Sequence, residues 1–312
     1  MGIQYNKNIG IVFPGQGSQY VGMGKELFDT FPEVKEVFNI GANITGIDLA
    51  KICFEGPLEI LTETSNCQIA IFAVSIANFK VLQKEISFTP VFSAGHSLGE
   101  YSAFFSAGCI SIEDAFRIVQ KRAQFMKQAS IKNPGSMLAI LGKNENEVNK
   151  LIDGFNVKIS NINGPNQIVA GGKKSDIENL ADYLGQIHVK CIPLKVSGAF
   201  HTSLMSEAEQ LLKEEMEKIE FNAPLFPVYT NFNGEILKDK SQIKDSLLKQ
   251  IVYPVQWMKI VENFPKDSIV IEIGPKKVLS GLINKISPGI KTLNIDDKKT
   301  LEETINFLKG EK

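Results

Sequence analysis

The sequence predicts an α/β protein: a large domain built on a parallel sheet, carrying a small inserted unit of order βαββαβ. Two rhythms predict it. Short apolar runs at Ile9 to Phe13, Val91 to Ala94 and Ile269 to Ile273 each end at Pro or Gly and lead into helix-like stretches, the rhythm of a sheet with working residues at its strand ends. Between about Ser136 and Pro193 the pattern shortens to alternating small units.

Taken in order, Ile9 to Phe13 is the first strand, and the glycine-rich Gly15-Gln16-Gly17-Ser18-Gln19 leaves its end. Val91 to Ala94 is the second, followed by a helix-like stretch from Glu100 to Ala107. Ser111-Ile112-Glu113-Asp114 has the form of a capping box and opens a helix running to about Lys127. The inserted unit then reads as a strand at Met137 to Leu141, a helix from Asn144, strands at Val157 to Ser160 and Ile168 to Ala170, a helix from Ser175, and a strand at Val189 to Ile192. That order is ferredoxin-like. The predicted domains are therefore 1–130 with 196–312 for the large one and 131–195 for the small one, a division in keeping with 312 residues.

Composition excludes more than it specifies. Apolar residues make up 43% and charged residues 22%, the ordinary balance of a globular protein. A formal charge of -1 argues against nucleic-acid binding through overall positive charge. The four cysteines, Cys53, Cys67, Cys109 and Cys191, form no C-x-x-C pair and no cluster with histidine, so no metal site is expected and they read as buried thiols of a reducing compartment. No uninterrupted apolar run reaches membrane length, and no leader-like apolar segment precedes Ile9, which together predict a cytoplasmic protein without a membrane partner.

The strongest chemical signal is Gly95-His96-Ser97-Leu98-Gly99 between a strand and a helix, the context a G-x-S-x-G nucleophile elbow requires. Its bland alternative is a Gly-Ser turn. Such a turn leaves the serine oxygen exposed at a helix N-terminus, but a hydroxyl needs a base, and the chain has only three histidines. His96 adjoins the serine and His188 opens a strand-like run, so both read as structural. His201, in Ser197-Gly198-Ala199-Phe200-His201-Thr202, is the better candidate for the base, against the alternative of a packed or surface histidine.

Two further features bear on the acyl site. The loop at Gly15 to Gln19 lacks the third glycine of a dinucleotide fingerprint, where Tyr20 stands, and the phosphate-loop pattern is missing too. It suits either an oxyanion hole, through backbone N–H groups and a glutamine amide, or a plain glycine turn. On the helix after Ser111 the apolar side is Ile112, Ala115, Val119, Ala123 and Met126; Arg122 projects close to it, whereas Arg117 and Lys121 project away. An inward arginine needs an anion, either a protein carboxylate or a substrate carboxylate held by two parallel hydrogen bonds.

With these pieces assembled, the chain resembles the malonyl-CoA:acyl-carrier-protein transacylases and the acyltransferase domains of fatty-acid and polyketide synthases. The resemblance runs nearly end to end, through Phe13-Pro14-Gly15-Gln16-Gly17-Ser18-Gln19, Gly95-His96-Ser97-Leu98-Gly99-Glu100, Arg122, Asn163-Gly164-Pro165-Asn166-Gln167, Phe200-His201, Tyr253-Pro254-Val255-Gln256-Trp257 and Glu272-Ile273-Gly274-Pro275. It implies an α/β-hydrolase-like large domain with the site in the cleft between the two domains. It implies Ser97 as nucleophile, His201 as base, and the backbone N–H groups of Gln16 and Leu98 as oxyanion hole. Arg122 becomes a malonate clamp, and Asn163 joins the substrate-binding residues. The histidine is oriented by a main-chain carbonyl at the position of Gln250 in place of an aspartate. Phe200 matches the malonyl-selective arrangement, where methylmalonyl-selective domains tend to carry serine.

The implied reaction is ping-pong transfer of malonyl from malonyl-CoA to the phosphopantetheine thiol of acyl carrier protein, supplying extender units for fatty-acid synthesis, without metal or redox cofactor. An acidic carrier would find positive charge at Lys190, Lys195, Lys276 or Lys277. Two rivals predict differently: a serine esterase or lysophospholipase-like hydrolase wants an apolar acyl pocket, which an inward Arg122 spoils, and a non-catalytic carrier-protein or nucleotide-binding module forms no acyl-serine.

Overall fold

The computed structural model describes residues 8–310, so the ends of the predicted large domain, 1–7 and 311–312, lie outside the described residues. The chain begins with β1 (Asn8–Phe13), α1 (Lys25–Thr30), α2 (Pro32–Thr45), α3 (Leu49–Glu55), α4 (Leu58–Thr62), α5 (Thr64–Glu85), β2 (Phe92–Gly95), α6 (Gly99–Ser106) and α7 (Ile112–Lys132). Then come β3 (Gly135–Leu141), α8 (Glu145–Leu151), β4 (Val157–Gly164), β5 (Gln167–Lys173), α9 (Lys174–Gln186) and β6 (Cys191–Pro193). The remainder is a 3₁₀ turn at Ser203–Met205, α10 (Ser206–Met216), α11 (Gln242–Val252), α12 (Trp257–Glu262), β7 (Ser268–Ile273), α13 (Val278–Ile286), β8 (Lys291–Ile295) and α14 (Lys298–Lys309).

The first sheet is parallel throughout, in the order β2-β1-β7-β8. Its register pairs Phe13 with Gly95 and Val12 with Glu272, so three loops leave the same sheet edge side by side: the glycine-rich loop, the elbow, and Gly274-Pro275-Lys276. This is the carboxyl edge at which parallel sheets place ligands. Behind it runs α5, buried against α2 and α7. The absence of a membrane-length apolar run needs one correction here. By length and composition α5 is long and apolar enough to cross a membrane, yet 83% of its apolar window is buried inside the protein, as befits a core helix that is apolar on every side.

The second sheet has the order β4-β5-β3-β6 with every pair antiparallel, and its elements follow the predicted βαββαβ order. Alternation along β3 explains its placement. Leu138 and Ile140 pack with Val148 and Ile152 on one side and Ile177, Leu180 and Leu184 of α9, whereas Met137 and Ala139 face the core of the large sheet. Backbone also joins the two parts: the Ile162 N–H donates to the Val255 carbonyl and the Val255 N–H to the Ser160 carbonyl, both at 2.9 Å. Val255 lies in the Tyr253 to Trp257 motif.

Several predicted boundaries move. β6 begins at Cys191, not Val189, because the Val189 N–H closes α9 by donating to the Leu184 carbonyl; His188 sits in that turn at φ 56°. α7 continues to Lys132, five residues beyond Lys127, since Ala129 and Ser130 keep its buried stripe going until Pro134 approaches. Ser111 caps α7 by accepting from the Asp114 N–H, but the Asp114 carboxylate bonds the Ser111 hydroxyl and Arg117, so only half of a capping box forms. β8 escapes the apolar pattern because three of its five residues, Lys291, Thr292 and Asn294, are polar. All four cysteines are free; Cys53, Cys67 and Cys109 are buried and Cys191 is half-buried.

Candidate active site

The elbow is shaped by two close approaches. A Cβ on Gly95 would lie 1.9 Å from the Gly99 carbonyl carbon, and one on Gly99 would lie 2.0 Å from the Phe13 carbonyl oxygen, so both positions require glycine. Between them Ser97 is held at φ 52°, a left-handed conformation that costs a non-glycine residue about 1–3 kcal/mol and persists only when its surroundings enforce it. The strain turns Oγ into the cleft. The Ser97 N–H is bonded to Asn231 Oδ1 at 2.7 Å, whereas among the described residues those of Leu98 and Gln16 donate no hydrogen bond.

Across the cleft His201, itself at φ 60° and 4% exposed, brings Nε2 to 2.8 Å from Ser97 Oγ. Its Nδ1 lies 2.5 Å from the main-chain carbonyl of Gln250. A carbonyl only accepts, so Nδ1 carries the proton and Nε2 faces the serine hydroxyl as a bare acceptor. The carbonyl is free for a local reason. Its partner within α11 would be the N–H of residue 254, which is proline.

Arg122 enters from α7 and is 1% exposed. Nη2 donates to Ser97 Oγ at 3.0 Å and to Gln250 Oε1 at 2.9 Å, Nη1 donates to Gln68 Oε1, and the Tyr101 ring lies 5.4 Å away. Among the described residues no carboxylate is within 4.0 Å of the guanidinium. The cation is held by neutral acceptors alone.

These groups line a cleft of about 440 Å³ with Gln16, Leu98, Phe200 and Asn163; Met126, Met137 and Val169 supply apolar wall. Asn163, on β4, accepts from His96 Nε2 through its Oδ1 at 2.8 Å, so His96 points away from Ser97 as expected, although it still borders the cleft. Lys195 and Lys276 line it too; Lys190 and Lys277 do not.

The chain and its fold have known counterparts. The acyl transferase domain model matches residues 11–294. The malonyl CoA-acyl carrier protein transacylase of Bacillus subtilis is 39% identical, with 97% of this chain and 98% of that protein covered, and that of Escherichia coli K12 is 38% identical over 88% and 91%. The chain belongs to this transacylase family. Among solved structures, the transacylase of Clostridium perfringens superposes with a TM-score of 0.92 at 36% identity, covering 97% of this chain and 98% of that one. A malonyl-transacylase solved in complex with its type II PKS acyl-carrier protein gives 0.91 at 34% identity, covering 96% and 100%.

The transacylase site is electrostatically unusual. Burial first, and then the Arg122 charge, push His201 down to about 3, so its imidazole is neutral at ordinary pH. Burial pushes Glu100 up to about 8, although it accepts from the Asn231 N–H at 3.2 Å, Ser246 Oγ at 3.0 Å and Gln250 Nε2 at 2.7 Å. Glu272, from the Glu272-Ile273-Gly274-Pro275 motif, is spent structurally: it accepts from the N–H groups of Leu279 and Ser280 and caps α13.

Sequence reasoning missed Gln68, Asn231 and the part played by Glu100. Gln68 heads the apolar run Ile69 to Val74, whereas Asn231 lies in the mixed stretch Tyr229-Thr230-Asn231-Phe232-Asn233, and at 1% and 0% exposure each amide must be bonded. A polar residue leading an apolar run was the one signal for Gln68, and Asn231 had none.

Proposed function

We propose that this chain transfers malonyl from malonyl-CoA to the phosphopantetheine thiol of acyl carrier protein, by a ping-pong mechanism through an ester on Ser97, for fatty-acid synthesis. Membership of the transacylase family supports the substrates and the partner. The observation that carries the mechanism is the convergence of three groups: Ser97 Oγ stands 2.8 Å from His201 Nε2 and 3.0 Å from Arg122 Nη2.

In the proposed reaction His201 Nε2 takes the Ser97 proton as Oγ attacks the thioester carbon. The unspent N–H groups of Leu98 and Gln16 receive the oxyanion, and coenzyme A leaves with the proton from His201. The carrier thiol then reverses these steps. A cation this close to the nucleophile suits an acyl group whose carboxylate is one carbon from the reacting carbonyl, and it disfavours simple lipid esters. Phe200 crowds a branch at that carbon, and Asn163, which lines the cleft, serves as a further substrate-binding residue. No metal or organic cofactor enters this chemistry.

The finer architecture belongs to the same reading: residues 131–195 as a ferredoxin-like insertion in an α/β-hydrolase-like domain of 1–130 and 196–312. The strand order of the small sheet and the elbow after β2 support it. The four free thiols favour the cytoplasm.

The test is intact-mass and peptide mass spectrometry after incubation with malonyl-CoA alone. One malonyl unit on Ser97, absent from Ser97→Ala, is the expected result; malonyl elsewhere, or none on the native enzyme, would overturn the mechanism.

A further inference from the structure

We infer that Asn231 is a positioning residue that holds the elbow in its reactive shape, an inference that rests on Ser97 being the nucleophile. Its side chain spans the turn: Oδ1 accepts from the Ser97 N–H at 2.7 Å while Nδ2 donates to the Gly95 carbonyl at 2.6 Å. These are the two backbone groups that the strained turn removes from sheet pairing, and one fully buried amide satisfies both. Losing it orphans a donor and an acceptor on either side of His96 and frees Ser97 to relax from φ 52°.

Asn231 is delivered there by a short extended segment beside β2. The Ser93 N–H donates to the Pro227 carbonyl at 2.8 Å and the Tyr229 N–H to the Ser93 carbonyl at 2.9 Å, so the segment leaves the sheet at the same edge as the elbow. Its backbone is pinned at both ends, by the Asn231 N–H to Glu100 Oε1 and by the Gln256 N–H to the Asn231 carbonyl at 2.8 Å. Glu100 also receives Gln250 Nε2, and Gln250 in turn holds His201 and Arg122. The nucleophile, its neighbouring imidazole and the guanidinium are therefore registered to one buried carboxyl group, with Asn231 as the arm that reaches the serine.

The experiment is single-turnover acylation by malonyl-CoA in native, Asn231→Ala and Asn231→Asp proteins, with the folded fraction measured by circular dichroism. The alanine form is expected to lose roughly ten- to a thousand-fold in the maximal acylation rate, the span seen when alignment is lost, with half-saturation by malonyl-CoA nearly unchanged because Arg122 stays in place. The aspartate form adds a readout that a merely structural role would not move. Protonated, its carboxyl group donates to the Gly95 carbonyl and accepts from the Ser97 N–H, as the amide does; ionised, it sets one acceptor against another. Its acylation rate is thus expected to fall as pH rises through the new carboxyl group, while the native rate does not. If the alanine form does not fold, the aspartate pH profile decides. Native rates per folded molecule in the alanine form, or an aspartate profile parallel to the native one, would overturn the inference. Absence of malonyl from Ser97 in the native enzyme would instead overturn the underlying mechanism.

Discussion

Pro254 stands four residues beyond Gln250, and its missing N–H leaves the Gln250 carbonyl unclaimed by α11, so that carbonyl receives Nδ1 of His201 at 2.5 Å. A helix end thus does what an aspartate does in a serine-histidine-aspartate triad. Pro254→Ala would restore a competing donor and let α11 continue. Acylation measured in a single turnover is expected to slow several-fold with half-saturation unchanged; an unaltered rate in a folded protein would remove Pro254 from the account.

Arg122 tests the choice of acyl group. Arg122→Ala leaves a substrate carboxylate buried and unpaired at a cost of about 3–5 kcal/mol, on the order of a hundred- to several-thousand-fold in rate. Malonyl transfer should collapse while acetyl transfer falls much less, and Arg122→Lys should rescue only part, since an ammonium lacks the planar fork. The measurement is the malonyl-to-acetyl ratio of kcat/KM. Equal loss of both substrates would make Arg122 a structural residue.

The depressed basicity of His201 has a signed consequence. With its folded pKa pushed to about 3, below the ordinary 6.5, the imidazole stays neutral as pH falls through 6, and kcat/KM for acylation should hold its value there where a solvated histidine would already have lost half. The same sign applies to stability. Because the unfolded chain takes up the proton first, this contribution is present above 6.5 and is lost as pH falls toward 3. Removing the cation in Arg122→Gln should move the acid limb upward, as read from the pH profile; an acid limb unmoved by the substitution would contradict the coupling.

Phe200, 6% exposed and lining the cleft, should set tolerance for a branch at the second acyl carbon. Phe200→Ser is expected to raise the relative use of methylmalonyl-CoA by an amount worth about 1–3 kcal/mol at most, checked by competition between the two thioesters. A ratio unaffected by the substitution would exclude the ring from specificity.

What the sequence made legible was local. The elbow could be read because Gly95 and Gly99 are compelled by contacts within a few residues and with the adjoining strand, and Arg122 because helical periodicity places it on the inward face of α7. Gln250 was reached only through family resemblance, since nothing in α11 itself marks a carbonyl as functional. Gln68, on α5, and Asn231, after β2's neighbouring segment, are assembled by tertiary packing across 54 and 134 residues of chain. No periodicity records such a meeting. β8 was lost for the opposite reason, because its polar residues hide a strand that only pairing with β7 reveals.

The imidazole with a carbonyl rather than a carboxylate behind it also bears on how the acyl-enzyme is partitioned. No anion among the described residues stands at Nδ1 to stabilise an imidazolium, and the Arg122 charge opposes one. An acceptor this weak can serve Ser97, whose Oγ also receives a hydrogen bond from the Arg122 cation at 3.0 Å, but among incoming nucleophiles without that help it discriminates by acidity. A thiol, near pKa 8.5, surrenders its proton far more readily than water at about 15.7. On the proposed mechanism the malonyl ester therefore survives in a wet cleft, wasting little acyl group to hydrolysis, until a pantetheine thiol arrives.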